Sequence, residues 1–334
     1  MGSVSVCNDT VLERKVAIKV IHSTTHQRRM RDELAALLKM RSKHVVQVYD
    51  ILKFDDNLAI VQEFINGQDL FDGHRKPSTS TDFYKQIWQI ASGINDIHAL
   101  DVIHRDIKPN NMKTDPEGII KIFDFGLSRD EGPSAATIGF VGTQGFSAPE
   151  LYSGTPRFTK AVDTYAFGAT ALFLATGRLP RELMTSPPVP SRVSYFSVVI
   201  PALASEIVDC LDACLASVPE ERPSMNDVRD ILARHLLFDR HKALVVFEGK
   251  ASYLNSENRS VNLTLPEIGQ IEIRYDGLVF RVTTVSGEVF INNQAASAGN
   301  ILPGSCVVSL GNSDRMSRYR KFITFDLSHP EIVL

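Results

Sequence analysis

The chain has little of what marks membrane-spanning, disulfide-stabilised or nucleic-acid-binding proteins. Its 334 residues contain no run of about eighteen apolar residues, so no transmembrane helix is expected. The N-terminus lacks a signal-peptide pattern, and the four cysteines lack zinc spacing, so we expect reduced thiols in a cytoplasmic protein. The net charge of −3 argues against nucleic-acid and membrane partners.

The composition is that of an ordinary folded protein. Hydrophobic residues make up 43% of the chain and charged residues 22%, which lies in the globular range. The length allows two or three domains with sizeable cores. Composition alone leaves the function open, so the functional argument rests on motifs.

The most informative stretch is 104–111, His-Arg-Asp-Ile-Lys-Pro-Asn-Asn, and Asp124-Phe125-Gly126 begins thirteen residues after Asn111. Asp106 can accept a proton from an attacking hydroxyl and orient it. Lys108 places positive charge beside a transferring phosphoryl group. Asn111 and Asp124 offer hard oxygen ligands, which suit Mg²⁺. The stretch therefore indicates phosphoryl-transfer chemistry.

The pattern H-R-D-x-K-x-x-N followed by D-F-G resembles the catalytic core of the protein kinase family. The lysine two residues after Asp106 resembles the serine/threonine kinases, and the chain is similar in texture to bacterial kinases of the eukaryotic (Hanks) type. The resemblance covers 1–238. It implies a two-lobed α+β fold, with an N-lobe over 1–65 and a C-lobe over 66–238. It also implies transfer of the ATP γ-phosphate, with Mg²⁺, to Ser/Thr hydroxyls of protein substrates.

The first lobe of this family supplies most nucleotide contacts. Val16-Ala17-Ile18-Lys19 resembles the strand whose lysine grips the α and β phosphates. Glu33, in a run of helix formers, would pair with Lys19; a solvated helix charge is the alternative reading for Glu33. Residues 45–50 are expected to form the next strand. The resemblance further implies nucleotide contacts from Gly2, Val4, Ala17, Gln62 as gatekeeper, and the backbone of Glu63 and Ile65.

The chain departs from the family pattern at two places. Gly2-Ser3-Val4 fits only the end of the glycine-rich phosphate loop, so either the chain starts inside the natural protein or half of this lid is missing. Lys113 falls where the family places an apolar residue beneath adenine. Its stem would cover the ring while the ammonium reaches outward. Both departures put nucleotide affinity in doubt.

Later motifs separate a protein kinase from a small-molecule kinase, since the latter generally lacks an Ala-Pro-Glu segment such as the one ending at Glu150. By resemblance, Thr143 would bridge Asp106 and Lys108. Glu150 would form a structural ion pair with Arg222, and Asp163 would anchor the backbone of the catalytic loop.

The resemblance also suggests regulation. An arginine immediately before the catalytic aspartate, here Arg105, is associated with control by phosphorylation of the activation loop. The loop between Gly126 and Gly142 offers Thr137 and, as second choice, Ser134. A phosphate there would order the loop through arginine pairing. The alternative for either residue is an unmodified loop side chain.

Near residue 241 the sequence pattern changes to short β-rich runs with polar turns. Asp276-Gly277 is a strong hairpin signal, and seven short strands in under 100 residues favour a β-sandwich. The motifs Tyr275-Asp276-Gly277, Leu302-Pro303-Gly304 and Ser309-Leu310-Gly311 resemble the forkhead-associated (FHA) domain. We therefore expect an FHA-like domain over 241–334; an unrelated sandwich is the alternative.

The resemblance implies that an FHA phosphothreonine site has degenerated. Aligning the flanking motifs keeps Arg259 but places Glu267 at the family serine, Gln270 at the histidine and Gly287 at the asparagine. A carboxylate at Glu267 would repel a phosphate. We expect a docking or autoinhibitory module with a protein partner. Two functions stay open: an active serine/threonine kinase carrying this module, and a kinase-fold scaffold (pseudokinase) with an incomplete phosphate lid.

Overall fold

The structure is a computed structural model, and it describes residues 3–21, 35–54, 57–125, 143–153, 158–191, 193–199 and 203–327. Contacts divide the chain into two compact units, Met1–Leu232 and Ala233–Leu334. Within the described ranges, no helix is both long and apolar enough to cross a lipid bilayer.

A four-stranded antiparallel sheet opens the first unit, with its strands adjacent in the order β1, β2, β4, β3. The strands span Val4–Asp9 (β1), Arg14–Ile21 (β2), Val48–Phe54 (β3) and Asn57–Glu63 (β4). Strand β2 is paired on both sides, which suits its apolar run around Lys19. The strand expected at 45–50 begins instead at Val48, because Val45 makes an isolated parallel bridge to Ile122.

Helices form much of the remaining first unit. Besides a helical segment at 35–39, the described α-helices are Ser80–Ala99 (α1), Lys160–Thr176 (α2), Ser205–Cys214 (α3) and Met225–Leu236 (α4), the last of which continues into the second unit. Helix α1 begins after Thr79, whose hydroxyl accepts a hydrogen bond from the backbone N–H of Asp82. Its inner face is fully buried, as the spacing of isoleucines predicts: Ile87, Ile90, Ile94 and Ile97.

A small three-stranded antiparallel sheet supports the catalytic-loop motif. Its strands are Gln68–Asp69 (β5), Met112–Thr114 (β6) and Ile120–Ile122 (β7). The register pairs Met112 with Ile122 and Lys113 with Lys121. Met112 and Ile122 are fully buried. Since side chains alternate across a strand, the two lysines lie together on the other face of the sheet.

The second unit contains two antiparallel sheets that share one apolar core. One sheet has the order β10, β11, β12 and the other β14, β13, β15, β16, β8, β9. The strands span Ala243–Phe247 (β8), Lys250–Leu254 (β9), Ser260–Leu265 (β10), Gly269–Tyr275 (β11), Phe280–Gly287 (β12), Val289–Ile291 (β13), Gln294–Ala295 (β14), Cys306–Leu310 (β15) and Lys321–Leu327 (β16). Ile271 and Val282 from the first sheet and Val308 and Ile323 from the second are fully buried in this core.

Two of these strands, β9 and β14, were not predicted from the sequence. In β9 only the last residue is buried, so the strand shows no alternation of apolar and polar positions. Strand β14 has only two residues, which is too short for a periodic pattern.

Candidate active site

The carboxylate of Asp106 lies at the centre of a hydrogen-bond network. Asn111 Nδ2 donates to Asp106 Oδ2 over 2.9 Å, and Lys108 Nζ lies 2.9 Å from the same oxygen. The Thr143 hydroxyl donates to Asp106 Oδ1 over 3.2 Å and accepts from Lys108 Nζ over 2.9 Å. The structure thus brings these four residues together, with both oxygens of Asp106 oriented.

Asp124 and Lys19 form an ion pair between Nζ and Oδ1. The Lys19 side chain is 12% exposed and that of Asp124 45%, so the carboxylate remains accessible. Asp124 has a φ of +64°, in the left-handed region that residues other than glycine rarely adopt. Such strained backbone clusters at functional sites, where the surrounding structure stabilises it.

Asp163 on helix α2 anchors the backbone of the catalytic loop from within the unit. Its Oδ2 accepts from the backbone N–H of His104 over 2.7 Å, and its Oδ1 accepts from that of Arg105 over 2.8 Å. The His98 ring Nε2 lies 3.0 Å from Oδ2. Asp163 is fully buried and Arg105 has a φ of +68°, so these bonds stabilise a strained turn. The contact between His98 and Asp163 was not predicted from the sequence.

His104 is a buried packing element of the same loop. Its ring lies 4.9 Å from that of Phe125, and its Nε2 lies 3.1 Å from the carbonyl oxygen of Phe123. Burial lowers the pKa of His104, although Asp163 and Asp106 act in the opposite direction. The ring is therefore neutral near pH 7 and contributes packing rather than proton transfer.

Glu150 and Arg222 form a bidentate ion pair, with Nη1–Oε1 and Nη2–Oε2 distances of 2.7 and 2.8 Å. The Arg222 side chain is fully buried and that of Glu150 is 18% exposed. Arg222 also donates to the carbonyl oxygens of Ala216 and Ala161 over 2.8 and 2.9 Å. Its guanidinium lies 5.0 Å from the ring centroid of Tyr165. The pair joins the Ala-Pro-Glu segment to α2.

A narrow cleft lies beside Asp106. The catalytic loop, the segment from Thr143 to Ala148 and helix α2 form its walls. The lining residues are Arg105, Asp106, Ile107, Thr143, Phe146, Ser147, Ala148, Leu151, Val162, Asp163 and Ala166.

Five of the residues assigned to nucleotide binding lie on the neighbouring strands β1, β2 and β4, whereas Ile65 follows β4 and Lys113 lies on β6 of a separate sheet. The register places Ala17 of β2 opposite Gln62 of β4, and Lys19 opposite Val4 of β1. Ile65 is buried, whereas Val4 is 59% exposed. Four predicted site residues lie outside the described residues: Gly2, Glu33, Ser134 and Thr137.

Two contacts of the lysines on β6 and β7 were not anticipated from the sequence. Lys121 Nζ lies 2.8 Å from Glu63 Oε1. Lys113 Nζ lies 5.8 Å from the ring centroid of Phe123, the residue before Asp124. The cross-strand pairing of two lysines follows only from the strand register, which the sequence did not reveal.

These elements define a phosphotransfer-type site in a unit of mixed helix and sheet. The family model for the protein kinase domain matches residues 1–233 of the 334 residues. The chain therefore belongs to the protein kinase domain family, as the motifs around Asp106 and Asp124 predicted.

Several curated kinases resemble this chain at modest identity. It is 34% identical over 197 residues to the serine/threonine-protein kinase PknA of Corynebacterium glutamicum, covering 54% of this chain and 41% of that protein. It is 26% identical over 217 residues to sperm motility kinase 3A of Mus musculus, covering 64% and 43%. It is 27% identical over 237 residues to the mitogen-activated protein kinase kinase kinase YODA of Arabidopsis thaliana, covering 69% and 26%. The chain thus spans less than half the length of each.

Proposed function

We propose that this chain is a serine/threonine protein kinase that transfers the γ-phosphate of ATP to Ser/Thr hydroxyls of protein substrates. The observation that carries the proposal is the network around Asp106, whose carboxylate accepts from Asn111, Lys108 and Thr143. Held in this way, Asp106 orients a substrate hydroxyl and accepts its proton as the phosphorus–oxygen bond forms. None of the four cysteines forms a disulfide, which supports a cytoplasmic location.

Lys108 and Lys19 supply positive charge on two sides of the reacting phosphate. Negative charge spreads over phosphoryl oxygens in the transition state, and fixed cations stabilise it. Lys108 lies next to the proton acceptor, as its 2.9 Å contact with Asp106 indicates. Lys19 would contact the phosphates of the nucleotide, and Glu33 would hold Lys19 there.

Asn111 and Asp124 fit a magnesium site. The Asp124 carboxylate is accessible, and Asn111 keeps its amide oxygen free for a ligand because its Nδ2 makes both bonds to Asp106. Mg²⁺ usually takes one or two protein oxygens together with phosphates and water. The lack of a three-residue acidic or histidine cluster in the described ranges is consistent with such a site. When bound, Mg²⁺ would neutralise phosphate charge.

The alternative function is a kinase-fold scaffold that binds partners without efficient turnover. One observation favours it: Lys19 and Asp124 form an ion pair with each other, although Lys19 would be needed for the nucleotide and Asp124 for the metal. Phosphate transfer, measured with matched variants, separates the two functions.

The test compares full-length protein with Asp106→Asn and Asp124→Asn in a radiolabelled ATP and Mg²⁺ assay on a generic protein acceptor. Each substitution should lower the rate about a thousandfold or more, because each removes a carboxylate needed in the transition state. Glu117→Gln, at an exposed turn, is the matched control and should retain full activity. Undiminished transfer by Asp124→Asn would refute the mechanism, and inactive wild-type protein would favour the scaffold.

We propose that phosphorylation of Thr137, or secondarily Ser134, activates the enzyme. Arg105 supports this proposal because it directly precedes Asp106, and its guanidinium lies 5.6 Å from the ring centroid of Phe158. A phosphate would offer it a charged partner of about −1.5 to −2. Mass spectrometry of active protein should find one of the two residues modified. Full activity with both unmodified would exclude this route.

We propose that the second unit is an FHA-like β-sandwich that docks a protein partner without reading phosphothreonine. The Arg259 guanidinium supports this, since Nη2 lies 2.7 Å from Asp239 Oδ1 and Nε donates to the carbonyl oxygen of Ser256. The charge that would meet a phosphate is thus already neutralised. Glu267, at the position of the family serine, is exposed and has a φ of +62°.

Isothermal titration of the full chain with phosphothreonine peptides tests the module. We expect no binding that depends on the phosphate, and no difference between wild type and Arg259→Ala. Micromolar binding that disappears on dephosphorylation, and also in Arg259→Ala, would show that the phosphothreonine site is intact.

A further inference from the structure

Lys113 is a half-buried cation with an unusual environment. Its ammonium nitrogen lies 5.8 Å from the ring centroid of Phe123. Within the described ranges, no carboxylate forms an ion pair with it. Its ammonium group carries three donors and no acceptor, so it can donate to a ligand that lies beside Phe123.

The carboxylates on the neighbouring strands make other contacts, and Asp69, the partner of Lys113 on β5, accepts from two backbone N–H groups of its own turn. The register of β6 and β7 places Lys121 directly opposite Lys113. Lys121 Nζ lies 2.8 Å from Glu63 Oε1, and the other Glu63 oxygen accepts from the backbone N–H of Gln47 over 3.2 Å. Like charges facing each other across a strand pair are destabilising. Glu63 neutralises the positive charge of Lys121 but not that of Lys113. Lys113 therefore keeps its hydrogen-bonding capacity.

Lys113 also lies between the two ends of the proposed nucleotide site, on which this inference rests. At one end, Phe123 directly precedes the metal-ligand candidate Asp124, and its backbone N–H donates to the carbonyl oxygen of Asn111 over 2.9 Å. At the other end, Glu63 belongs to the strand proposed to contact the base. A base bound between these two ends would therefore meet the Lys113 ammonium beside Phe123.

We propose that Lys113 is a nucleotide-specificity residue that donates to the acceptor edge of a purine, so that GTP serves as a phosphate donor alongside ATP. Guanine presents two acceptors on this edge, N7 and O6, whereas adenine presents N7 together with the donor N6 amino group. A donor-only ammonium matches both guanine atoms but only one adenine atom. Gln62 tolerates either base, because its side-chain amide can donate or accept.

Isothermal titration with Mg·GDP and Mg·ADP tests the inference without requiring turnover. Wild type should bind both, and Lys113→Leu should weaken GDP by about tenfold, within the range for one good base-edge contact, while ADP changes much less. Lys113→Arg keeps donors and should retain GDP binding. Lys53→Leu, on the exposed part of β3, is the control and should change neither affinity.

The outcomes separate this inference from the proposed function. Equal changes for GDP and ADP in Lys113→Leu, or no change, would overturn the specificity role, and so would wild type that binds neither nucleotide. Selective loss of GDP without phosphate transfer from either triphosphate would support the role of Lys113 and refute the kinase activity. Selective loss together with transfer from GTP would support both.

Discussion

The two units of this chain differ in where their polar side chains lie. Within the described residues, eleven of the twelve buried polar side chains lie in Met1–Leu232, and only Ser309 lies in the second unit. The first unit holds charged groups such as Asp163 and Arg222 in its interior, each with several hydrogen bonds. The second unit keeps its ion pairs at the surface and fills its core with apolar side chains. A reactive site needs oriented charge, whereas a docking module needs only a rigid frame.

The largest loss of stability is expected when a buried charge is removed from the first unit. Arg222→Ala leaves Glu150 and three backbone carbonyls without their donor. We expect a loss of about 3–5 kcal/mol in the free energy of unfolding, as for other buried pairs deprived of one partner. Differential scanning calorimetry of the full chain measures it. A loss as small as that of an exposed pair would contradict the interior role of Arg222.

A substitution that creates a cavity in the second unit tests whether the stability of this unit depends on apolar packing. Ile271→Ala should lower the free energy of unfolding of this unit by about 3 kcal/mol, because Ile271 is fully buried in the shared core. Chemical denaturation followed by hydrogen exchange in the second unit measures the loss. Ile301→Ala is the matched control, since that side chain is 49% exposed. Equal effects of the two substitutions would show that the core does not carry the stability.

The pH dependence of the second unit should reveal the half-buried imidazole of His241. Burial lowers the pKa of His241 from 6.5 to about 4. Between these values the unfolded chain binds more protons than the folded one, so stability falls as pH falls from 6.5 towards 4 and is unaffected above 6.5. Because the ring keeps partial access to solvent, we expect an effect of about 1 kcal/mol or less.

His241→Phe keeps an aromatic ring beside Tyr275 and Phe280 and removes the titration. The difference between wild type and this variant, followed by hydrogen exchange in the second unit at pH 7 and pH 4.5, isolates the effect of His241 from that of His104. An identical loss in both proteins on acidification would assign the pH dependence elsewhere.

The smallest effect is expected at the surface pair Glu288–Arg315, with N–O distances of 2.7 and 2.9 Å. The side-chain hydrogen bond from Arg315 and the backbone N–H of Asn312 lower the pKa of Glu288 from 4.5 to about 2. The contribution of the pair is therefore present above pH 4.5 and lost as pH falls through about 2. Carboxyl NMR titration should show this midpoint. Arg315→Ala should change thermal stability less than any substitution above, since exposed pairs contribute little.

The sequence predicted the parts of the fold and site that depend on local pattern. The isoleucine spacing predicted α1, the apolar run around Lys19 predicted β2, and the motif near Asp106 led to the kinase domain family. The contacts of Lys121 with Glu63 and of His98 with Asp163 escaped prediction, because each joins residues about sixty positions apart. Strand β9 escaped because an exposed edge strand carries no apolar alternation.

The anchoring of the catalytic loop by Asp163 has a consequence for hydrogen–deuterium exchange. The backbone amides of His104 and Arg105 belong to a loop, yet both donate to a carboxylate that is fully buried on α2. Solvent deuterium reaches them only when the interior around α2 opens. These two amides should therefore exchange as slowly as the helix core, which makes the loop that bears Asp106 part of the same cooperative unfolding unit as α2.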